Sequence, residues 1–391
     1  MSLRIPSSPH PDLRMTANPR RRFLQGLSAT SVLALAPRLS AASTSLPTLR
    51  KLAGGQPLIG VAVPTHFEKD LSPEEISLLT NQFDSITPEN GMKWPSLSPT
   101  ENENHFEPLD QIFDFAAKNQ QKIVGHTLIF NRAENYPLWI FQDGGKEASA
   151  TLVWKRVESH IETLMTRYKG RVDSWDVLNE FVEAPAPGYR VTDLTRVLGP
   201  DYPVRLFKLA AEIDPKAKLT YNDFSVESPD RLKAILAFVR SLRDQGCRVD
   251  IMGSQSHLVL NDKSADEIDT MIKKFAAEGI RCALTEMDVD VIPRNAPKKP
   301  QTAGEADPQN PYLDRCPAEV LEHQAKIYGD VFAAVLANRK HVARVTFWGM
   351  TDRHSWLNDW PWKRVNHGLL FDREAKPKPA FYAVAKALAG I

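Results

Sequence analysis

Several features are scarce in this 391-residue sequence, and each scarcity excludes a class of protein. Neither sign of charge dominates, with 49 Lys and Arg against 48 Asp and Glu, so the basic stripe that binds nucleic acid backbones is not indicated. No run of about 18 or more apolar residues occurs, which excludes a transmembrane helix. The composition, 42% hydrophobic and 25% charged, is typical of a globular protein and not of a disordered one.

Cysteine is also scarce, and its pattern argues against metal binding. Cys247, Cys282 and Cys316 make an odd count, so a full disulfide framework is excluded. We expect buried or idle thiols. The alternative of a single disulfide bridge, which would most plausibly involve Cys316 in a long loop, stays open. Cys-x-x-Cys, His-Glu-x-x-His and EF-hand spacings are missing. The sequence therefore predicts no catalytic metal and no cofactor.

The first 42 residues have the parts of an export signal. Three arginines at Arg20–Arg22 precede Phe23 and Leu24, an apolar stretch spans 27–36, and small residues end the segment at Ala41 and Ala42. Paired arginines followed by Phe-Leu resemble the twin-arginine signal of bacteria. We therefore expect residues 1–42 to engage the twin-arginine export machinery. Residues 43–391, with 43 basic and 47 acidic residues, would form the mature periplasmic or secreted protein, without membrane attachment.

The rest of the chain alternates short apolar runs with amphipathic stretches. The predicted strands are Ile59–Val63, Phe83–Thr87, Lys122–Leu128, Val172–Leu178, Lys218–Asn222, Ile251–Gln255, Cys282–Met287 and Arg344–Trp348. The predicted helices are Pro73–Thr80, Leu109–Asn119, Ser149–Tyr168, Val204–Ile213, Asp230–Asp244, Asp266–Glu278, Ala318–Asn338 and Pro379–Leu388. Eight such units predict an α/β fold, a single-domain (β/α)₈ TIM barrel over residues 43–391. No Gly-x-Gly-x-x-Gly follows the first strand, which disfavours a dinucleotide-binding sheet. Residues 293–317 are predicted to form a surface loop beside the barrel mouth.

Polar residues and tryptophans gather where the predicted strands end, which is where barrels of this type place their active sites. Two glutamates on different strands can flank one glycosidic bond, while tryptophans pack on sugar rings and amides bind hydroxyls. A Gly-rich phosphate loop and a Gly-x-Ser-x-Gly elbow are missing. The residues themselves thus favour a carbohydrate-active barrel with a carboxylate pair.

An ordered set of multi-residue motifs runs along the chain. These motifs are Asp84–Trp94, Gly125–Leu128, Trp175–Glu180, Gly253–His257, Leu284–Asp288, Thr346–Asp352 and Ser355–Trp356. The set resembles glycoside hydrolase family 10, whose members are mostly endo-β-1,4-xylanases, and the similarity extends from about residue 58 to the C-terminus.

The resemblance assigns roles residue by residue. It implies that Glu180 is the general acid/base, which must enter the reaction protonated, and that Glu286 is the ionised nucleophile of a retaining mechanism. It implies that Asn179 binds the 2-hydroxyl of the reacting sugar, and that His257 binds Glu286 and is oriented by Asp288. The substrate-binding residues that it implies are Glu89, Asn90, Lys93, His126, Gln255, Trp348 and Trp356.

Phe130 and Asn131 stand where the family usually has Trp-His. We expect this change to alter packing and hydrogen bonding around the reacting sugar. Trp175 is expected in the core, His160 and His341 are expected to be structural or on the surface, and Asp223 is a candidate for bonding a neighbouring loop.

The favoured function is a retaining endo-β-1,4-glycanase, a xylanase above all. A hydrolase of another β-glycan and a non-hydrolytic glycan-binding protein remain alternatives.

Overall fold

The computed structural model describes residues 46–183, 188–261, 265–298 and 307–391. The predicted export signal at 1–42 lies outside these ranges. Within them, eight parallel strands follow one another around a closed barrel, because β7 pairs with β8 as well as with β6. The strands are β1 Leu58–Val63, β2 Ser85–Pro88, β3 Lys122–Phe130, β4 Val172–Asn179, β5 Lys218–Asp223, β6 Ile251–Ser254, β7 Arg281–Asp290 and β8 Val342–Phe347.

A long helix follows each barrel strand. These helices are α1 Pro73–Gln82, α2 Glu107–Lys118, α3 Ala150–Arg167, α4 Tyr202–Ile213, α5 Pro229–Asp244, α6 Ala265–Ala277, α7 Ala318–Ala337 and α8 Pro379–Ala389. The predicted (β/α)₈ barrel is confirmed, with helix bounds within a few residues of those expected. Short elements that the sequence did not predict are the helices Leu49–Ala53, Phe67–Asp70, Trp94–Leu97 and Asp193–Leu198, the two-stranded ribbon Gln142–Asp143 with Lys146–Glu147, and the strand His257–Val259.

Local sequence signals explain where these helices begin and which side they bury. Helix α1 begins with a capping box, in which the Ser72 hydroxyl accepts from the Glu75 amide and the Glu75 carboxylate accepts from the Ser72 amide, and Pro73 occupies the first turn. In α2 the buried positions Leu109, Ile112, Phe113 and Ala116 recur with helical spacing. Each helix thus presents one apolar stripe to the barrel.

The barrel interior combines tight apolar packing with a buried polar layer. Trp175 is fully buried, as expected, and it packs against Gly125, where a Cβ atom would come within 2.1 Å of the indole ring. Arg344 on β8 bonds Asp176 at 3.2 Å and Ser174 at 3.1 Å across the barrel. Asp176 lies three residues before the C-terminal end of β4, so this polar layer forms the floor beneath the barrel mouth.

All three cysteines are buried and free, so the open alternative of a disulfide bridge is not found. The loop at 293–317 is described except for residues 299–306, which lie outside the described ranges. Its described parts bind the segment between β8 and α8, with Trp362 Nε1 donating to the Gln309 carbonyl at 2.7 Å. Arg294 donates to the His257 carbonyl at 3.2 Å, which places the start of the loop beside the mouth, as predicted. None of the described helices is both long and apolar enough to span a bilayer.

Candidate active site

The two predicted catalytic glutamates lie at the C-terminal ends of strands in the same barrel mouth. Glu180 directly follows β4 and Glu286 lies within β7. Each residue is only 5% exposed. Burying two carboxylates costs free energy unless hydrogen bonds and opposite charges compensate, so the surroundings of each one indicate what it does.

A chain of side-chain amides joins the two carboxylates. Asn222 Nδ2 donates to Glu286 Oε1 at 2.7 Å and to Asn179 Oδ1 at 3.0 Å. Gln255 Nε2 donates to the same Asn179 oxygen at 3.3 Å and to Glu180 Oε1 at 3.0 Å. Asn179 Nδ2 is buried and has no hydrogen-bond partner among the described residues, so it is free to donate to a substrate hydroxyl. The role expected for Asn179 requires such a donor and stays a prediction.

Charge and hydrogen bonds keep Glu286 ionised. His257 Nε2 lies 3.3 Å from Glu286 Oε2, and His257 Nδ1 lies 3.0 Å from Asp288 Oδ2. Burial favours the neutral ring, but the charges and hydrogen bonds of Asp288 and Glu286 raise the pKa of His257 to about 10. Burial also acts to raise the pKa of Glu286, yet His257, His126 and Asn222 outweigh it and hold that pKa below its ordinary value. An ionised carboxylate is what a nucleophile requires.

The acid/base candidate occupies a strained backbone position and contacts arginine. Glu180 has a φ of 57°, a region that residues other than glycine enter at a cost and that is often found at functional sites. Its Oε2 accepts from Arg132 Nε and lies 3.7 Å from Arg190 Nη2. Sequence reasoning missed both arginines. Arg132 directly follows the departure at 130–131, and that was the available signal, whereas nothing in the sequence singles out Arg190.

The predicted sugar-binding residues other than Gln255 lie on β3 or after β2 and β8. Lys93 Nζ donates to Asn90 Oδ1 at 2.7 Å. Burial raises the pKa of Glu89 and lowers that of Lys93, while the charge of each opposes the shift of the other. His126 Nδ1 lies 2.9 Å from the floor residue Asp176. Carboxylate, amide, ammonium and imidazole groups of this kind bind sugar hydroxyls.

Aromatic rings complete this side of the mouth. Trp348 is nearly buried and meets the His126 ring edge-on at 5.1 Å. Trp356 donates through Nε1 to Asp288 Oδ2 at 2.7 Å and its ring lies 4.7 Å from His257. Trp360 stacks on Trp356 at 4.8 Å, a partner that the sequence did not indicate. Asp288 also contacts His257, which in turn contacts Glu286. The hydrogen bond to Asp288 therefore couples the orientation of Trp356 to the residues that position the nucleophile.

Of the two departures from the family pattern, only Phe130 borders the cleft. Its ring lies 5.7 Å from Lys93 Nζ. Asn131 is fully buried, and its Oδ1 accepts from three hydroxyl groups, those of Tyr136, Thr192 and Tyr202. The expectation that the change at 130–131 alters hydrogen bonding around the reacting sugar stays a prediction, since Asn131 itself bonds within a buried network. Its Nδ2 donates to the Arg190 carbonyl at 3.2 Å and so holds the segment that carries Arg190.

The residues expected to be structural are so. His160 is buried, bonds the Leu128 carbonyl and stacks on Trp94, while His341 is exposed. Asp223 pairs with Arg231 at 2.6 Å and accepts from the amide of the next residue, so it shapes the loop after β5. Among the described residues, no three His, Cys, Asp or Glu side chains are grouped as metal ligands would be.

Comparisons with known proteins agree with this geometry. Residues 48–387 match the model of glycosyl hydrolase family 10. Endo-1,4-beta-xylanase A of Caldicellulosiruptor saccharolyticus is 36% identical over 84% of this chain and 92% of its own length. Endo-1,4-beta-xylanase of Geobacillus stearothermophilus is 34% identical over 87% of this chain and 98% of its own.

Solved structures show the same similarity. A family 10 endoxylanase from a sugarcane soil metagenome superposes with a TM-score of 0.80 at 35% identity, covering 88% of this chain and all of that one. Xylanase 10B of Thermotoga petrophila in complex with xylobiose gives a TM-score of 0.75 at 31% identity, covering 88% and 98%. With its paired buried glutamates at the mouth of the barrel, the chain belongs to glycosyl hydrolase family 10 and is a glycoside hydrolase.

Proposed function

We propose that the protein is a retaining endo-β-1,4-xylanase that hydrolyses xylan or xylo-oligosaccharides by double displacement. The observation that carries the proposal is the amide chain that joins Glu180 to Glu286 through Gln255, Asn179 and Asn222. Two carboxylates that share one set of donors can act on one glycosidic bond, and in retaining enzymes they are roughly 5–5.5 Å apart. The names of the relatives, endo-1,4-β-xylanases, support xylan as the glycan.

The proposed mechanism gives each glutamate one role. In the first step the Glu286 carboxylate attacks the anomeric carbon while Glu180 gives its proton to the departing glycosidic oxygen. A covalent glycosyl ester forms on Glu286, and the leaving sugar departs as an alcohol. In the second step Glu180 removes a proton from water, the water oxygen attacks the anomeric carbon, and the Glu286 carboxylate is released. Retention of configuration is the expected outcome of the two inversions.

The remaining residues stabilise the transition state and the substrate. The free Nδ2 of Asn179 would donate to the 2-hydroxyl of the reacting sugar, a bond that strengthens as the oxocarbenium ion develops. Trp348 and Trp356 would pack on sugar faces. The residues that would bind hydroxyls are Glu89, Asn90, Lys93, His126 and Gln255.

A substrate panel tests the proposal. Reducing-sugar release should be greatest on xylan and weak on mixed-linkage glucan and cellulose. E286A, with the nucleophile removed, is the matched control and should release none. Greatest activity on a glucan would assign the protein to another β-glycan. Binding to xylan without release by the unaltered protein would support the non-hydrolytic alternative and refute the proposed reaction.

We also propose that the protein is exported through the twin-arginine pathway to the periplasm or beyond, on the strength of the arginine pair followed by Phe23 and Leu24. Fusion of residues 1–42 to a reporter in a bacterium with and without a functional twin-arginine translocase tests this. We expect export that depends on the translocase and is lost in R21K/R22K. Export in the translocase-deficient strain would overturn the proposal.

A further inference from the structure

Two arginines that the mechanism does not use flank the acid/base. Arg132 Nε donates to Glu180 Oε2, and Arg190 Nη2 lies 3.7 Å from the same oxygen. The Arg132 side chain is 35% exposed and that of Arg190 is 18% exposed, so both side chains are partly accessible to solvent. Arg190 Nε is buried and has no hydrogen-bond partner among the described residues.

The two guanidinium groups pack near one aromatic ring, and hydrogen bonds anchor the backbone of Arg190. The ring of Phe224 lies 6.0 Å from Arg132 and 5.7 Å from Arg190. The Arg190 carbonyl accepts from Asn131 Nδ2 and from the Thr195 hydroxyl, which anchors its backbone to the buried network. A guanidinium on an aromatic face loses little freedom when it binds a planar anion. Both guanidinium groups thus lie beside the same ring and the same Glu180 oxygen.

The charge of this pair is incompletely balanced. Glu134 lies 3.9 Å from Arg132 and Glu183 lies 3.1 Å from Arg190. The two glutamate side chains are 69% and 46% exposed, and ion pairs with solvent-exposed partners are weak. Glu180 itself must carry a proton when the glycosidic bond breaks, and it then no longer offers a negative charge. During that step the arginine pair therefore lacks a buried counter-ion.

The position of the pair in the barrel identifies the part of the substrate that it faces. Arg132, Arg190 and Phe224 follow strands β3, β4 and β5. The predicted sugar-binding residues other than Gln255 lie on β3 or follow β2 and β8. Glu180 protonates the oxygen that joins the reacting sugar to the leaving sugar. Groups beyond Glu180 on the β4–β5 side are therefore next to the leaving sugar.

We infer that Arg132 and Arg190 form a subsite for a carboxylate on the leaving sugar, supplied by a uronic acid branch of the xylan. The inference rests on the proposed xylanase function and narrows its substrate to an acidic, branched one. A uronic acid carboxylate would take the N–H donors of both arginines and would replace the charge that Glu180 loses on protonation. Charge-assisted, bidentate bonds are the strongest that such a site can make.

A pair of matched substrates tests the inference. One is xylan with glucuronic acid branches, and the other is the same polymer after chemical reduction of each carboxylate to a neutral hydroxymethyl group. The unaltered protein should hydrolyse the acidic polymer with a kcat/KM at least about tenfold higher, since a hydrogen bond between charged groups supplies that factor or more. The ratio should fall at high ionic strength.

Variants assign the preference to the two arginines. R132Q and R190Q should each lower the acidic-to-neutral ratio towards one, because glutamine can donate hydrogen bonds but has no charge. R196Q is the matched control and should keep the ratio, since Arg196 is an exposed arginine that pairs with Asp193 across one helical turn. If R132Q does not fold, R190Q and the ratio of the unaltered protein still decide.

The outcomes separate this inference from the proposed function. Equal hydrolysis of both polymers by the unaltered protein, or an unchanged ratio in both arginine variants, would overturn the carboxylate subsite and leave the xylanase assignment intact. Failure to hydrolyse either polymer would instead overturn the proposed function.

Discussion

Asn222 holds the nucleophile Glu286 through a single amide, with Asn222 Nδ2 2.7 Å from Glu286 Oε1. The same nitrogen donates to Asn179, and the Thr285 hydroxyl donates to Asn222 Oδ1 at 2.6 Å, which fixes which end of the amide faces the carboxylate. One side chain thereby positions both the nucleophile and the residue expected to bind the 2-hydroxyl.

Replacing this amide should weaken catalysis and alter its pH dependence. In N222A the donor to Glu286 is lost, so the pKa of the nucleophile should rise and the acidic limb of the kcat/KM profile should move to higher pH. The value of kcat should fall about 10–100-fold, the factor expected for the loss of a hydrogen bond to a charged group. N81A, on the exposed face of α1, is the control. An unmoved acidic limb would contradict the role given to Asn222.

A glycine behind Asn222 offers an independent test of the same contact. A Cβ atom on Gly253 would come within 2.5 Å of Asn222 Oδ1 and 2.9 Å of Thr285 Cγ2. We expect G253A to displace the amide and to lower both kcat/KM and the melting temperature. G329A is the matched control, because a Cβ there meets only Ala383 at 3.8 Å in the middle of α7. A fully active G253A would show that the amide position is not required.

The loss of activity on replacing Glu180 should depend on the leaving group, whereas the loss on replacing Glu286 should not. E286A should lack turnover on every substrate, since no covalent intermediate can form. E180A should lose about 10²–10⁴-fold on xylo-oligosaccharides but much less on aryl glycosides with acidic phenols, which depart without protonation. Steady-state kinetics on both substrate types measures this. Equal losses on the two types would argue against proton donation by Glu180.

The raised pKa of His257 predicts a stability change at alkaline pH. Its pKa is about 10 in the folded protein and 6.5 ordinarily, so the folded state binds the extra proton more tightly. Its stabilising contribution is complete below about pH 6.5 and is lost as the pH rises through about 10. Melting temperatures across this range should fall less steeply in H257Q than in the unaltered protein, with H341Q as an exposed control. Identical slopes would show that His257 is not held protonated.

The sequence predicted the barrel because hydrophobic runs and capping signals are local. The strand that begins at Lys122 extends to Phe130, beyond the predicted end at Leu128, because Ile129 and Phe130 continue to pair with the neighbouring strand β4. Glu180 and Glu286 could be identified since each lies in a multi-residue motif. No comparable signal marks Asn222 as the link between them.

The arginines near Glu180 were beyond sequence reasoning for a physical reason. An arginine in a loop is ordinarily a solvated surface residue, and whether it reaches a carboxylate depends on how distant segments pack. The Arg190 carbonyl accepts from Asn131 Nδ2, whereas the sequence predicted only that the change at 130–131 alters packing and hydrogen bonding around the reacting sugar. The change at 130–131 was visible in the sequence, but the contact of Asn131 with the segment that carries Arg190 was not.

The stereochemistry of hydrolysis tests the account most directly. A proton NMR time course on a xylo-oligosaccharide follows the anomeric signal of the new reducing end before it equilibrates. Double displacement by Glu286 and Glu180 predicts that the β-anomer accumulates first and then mutarotates. Initial accumulation of the α-anomer would show a single inverting displacement and would contradict the assignment of Glu286 as nucleophile.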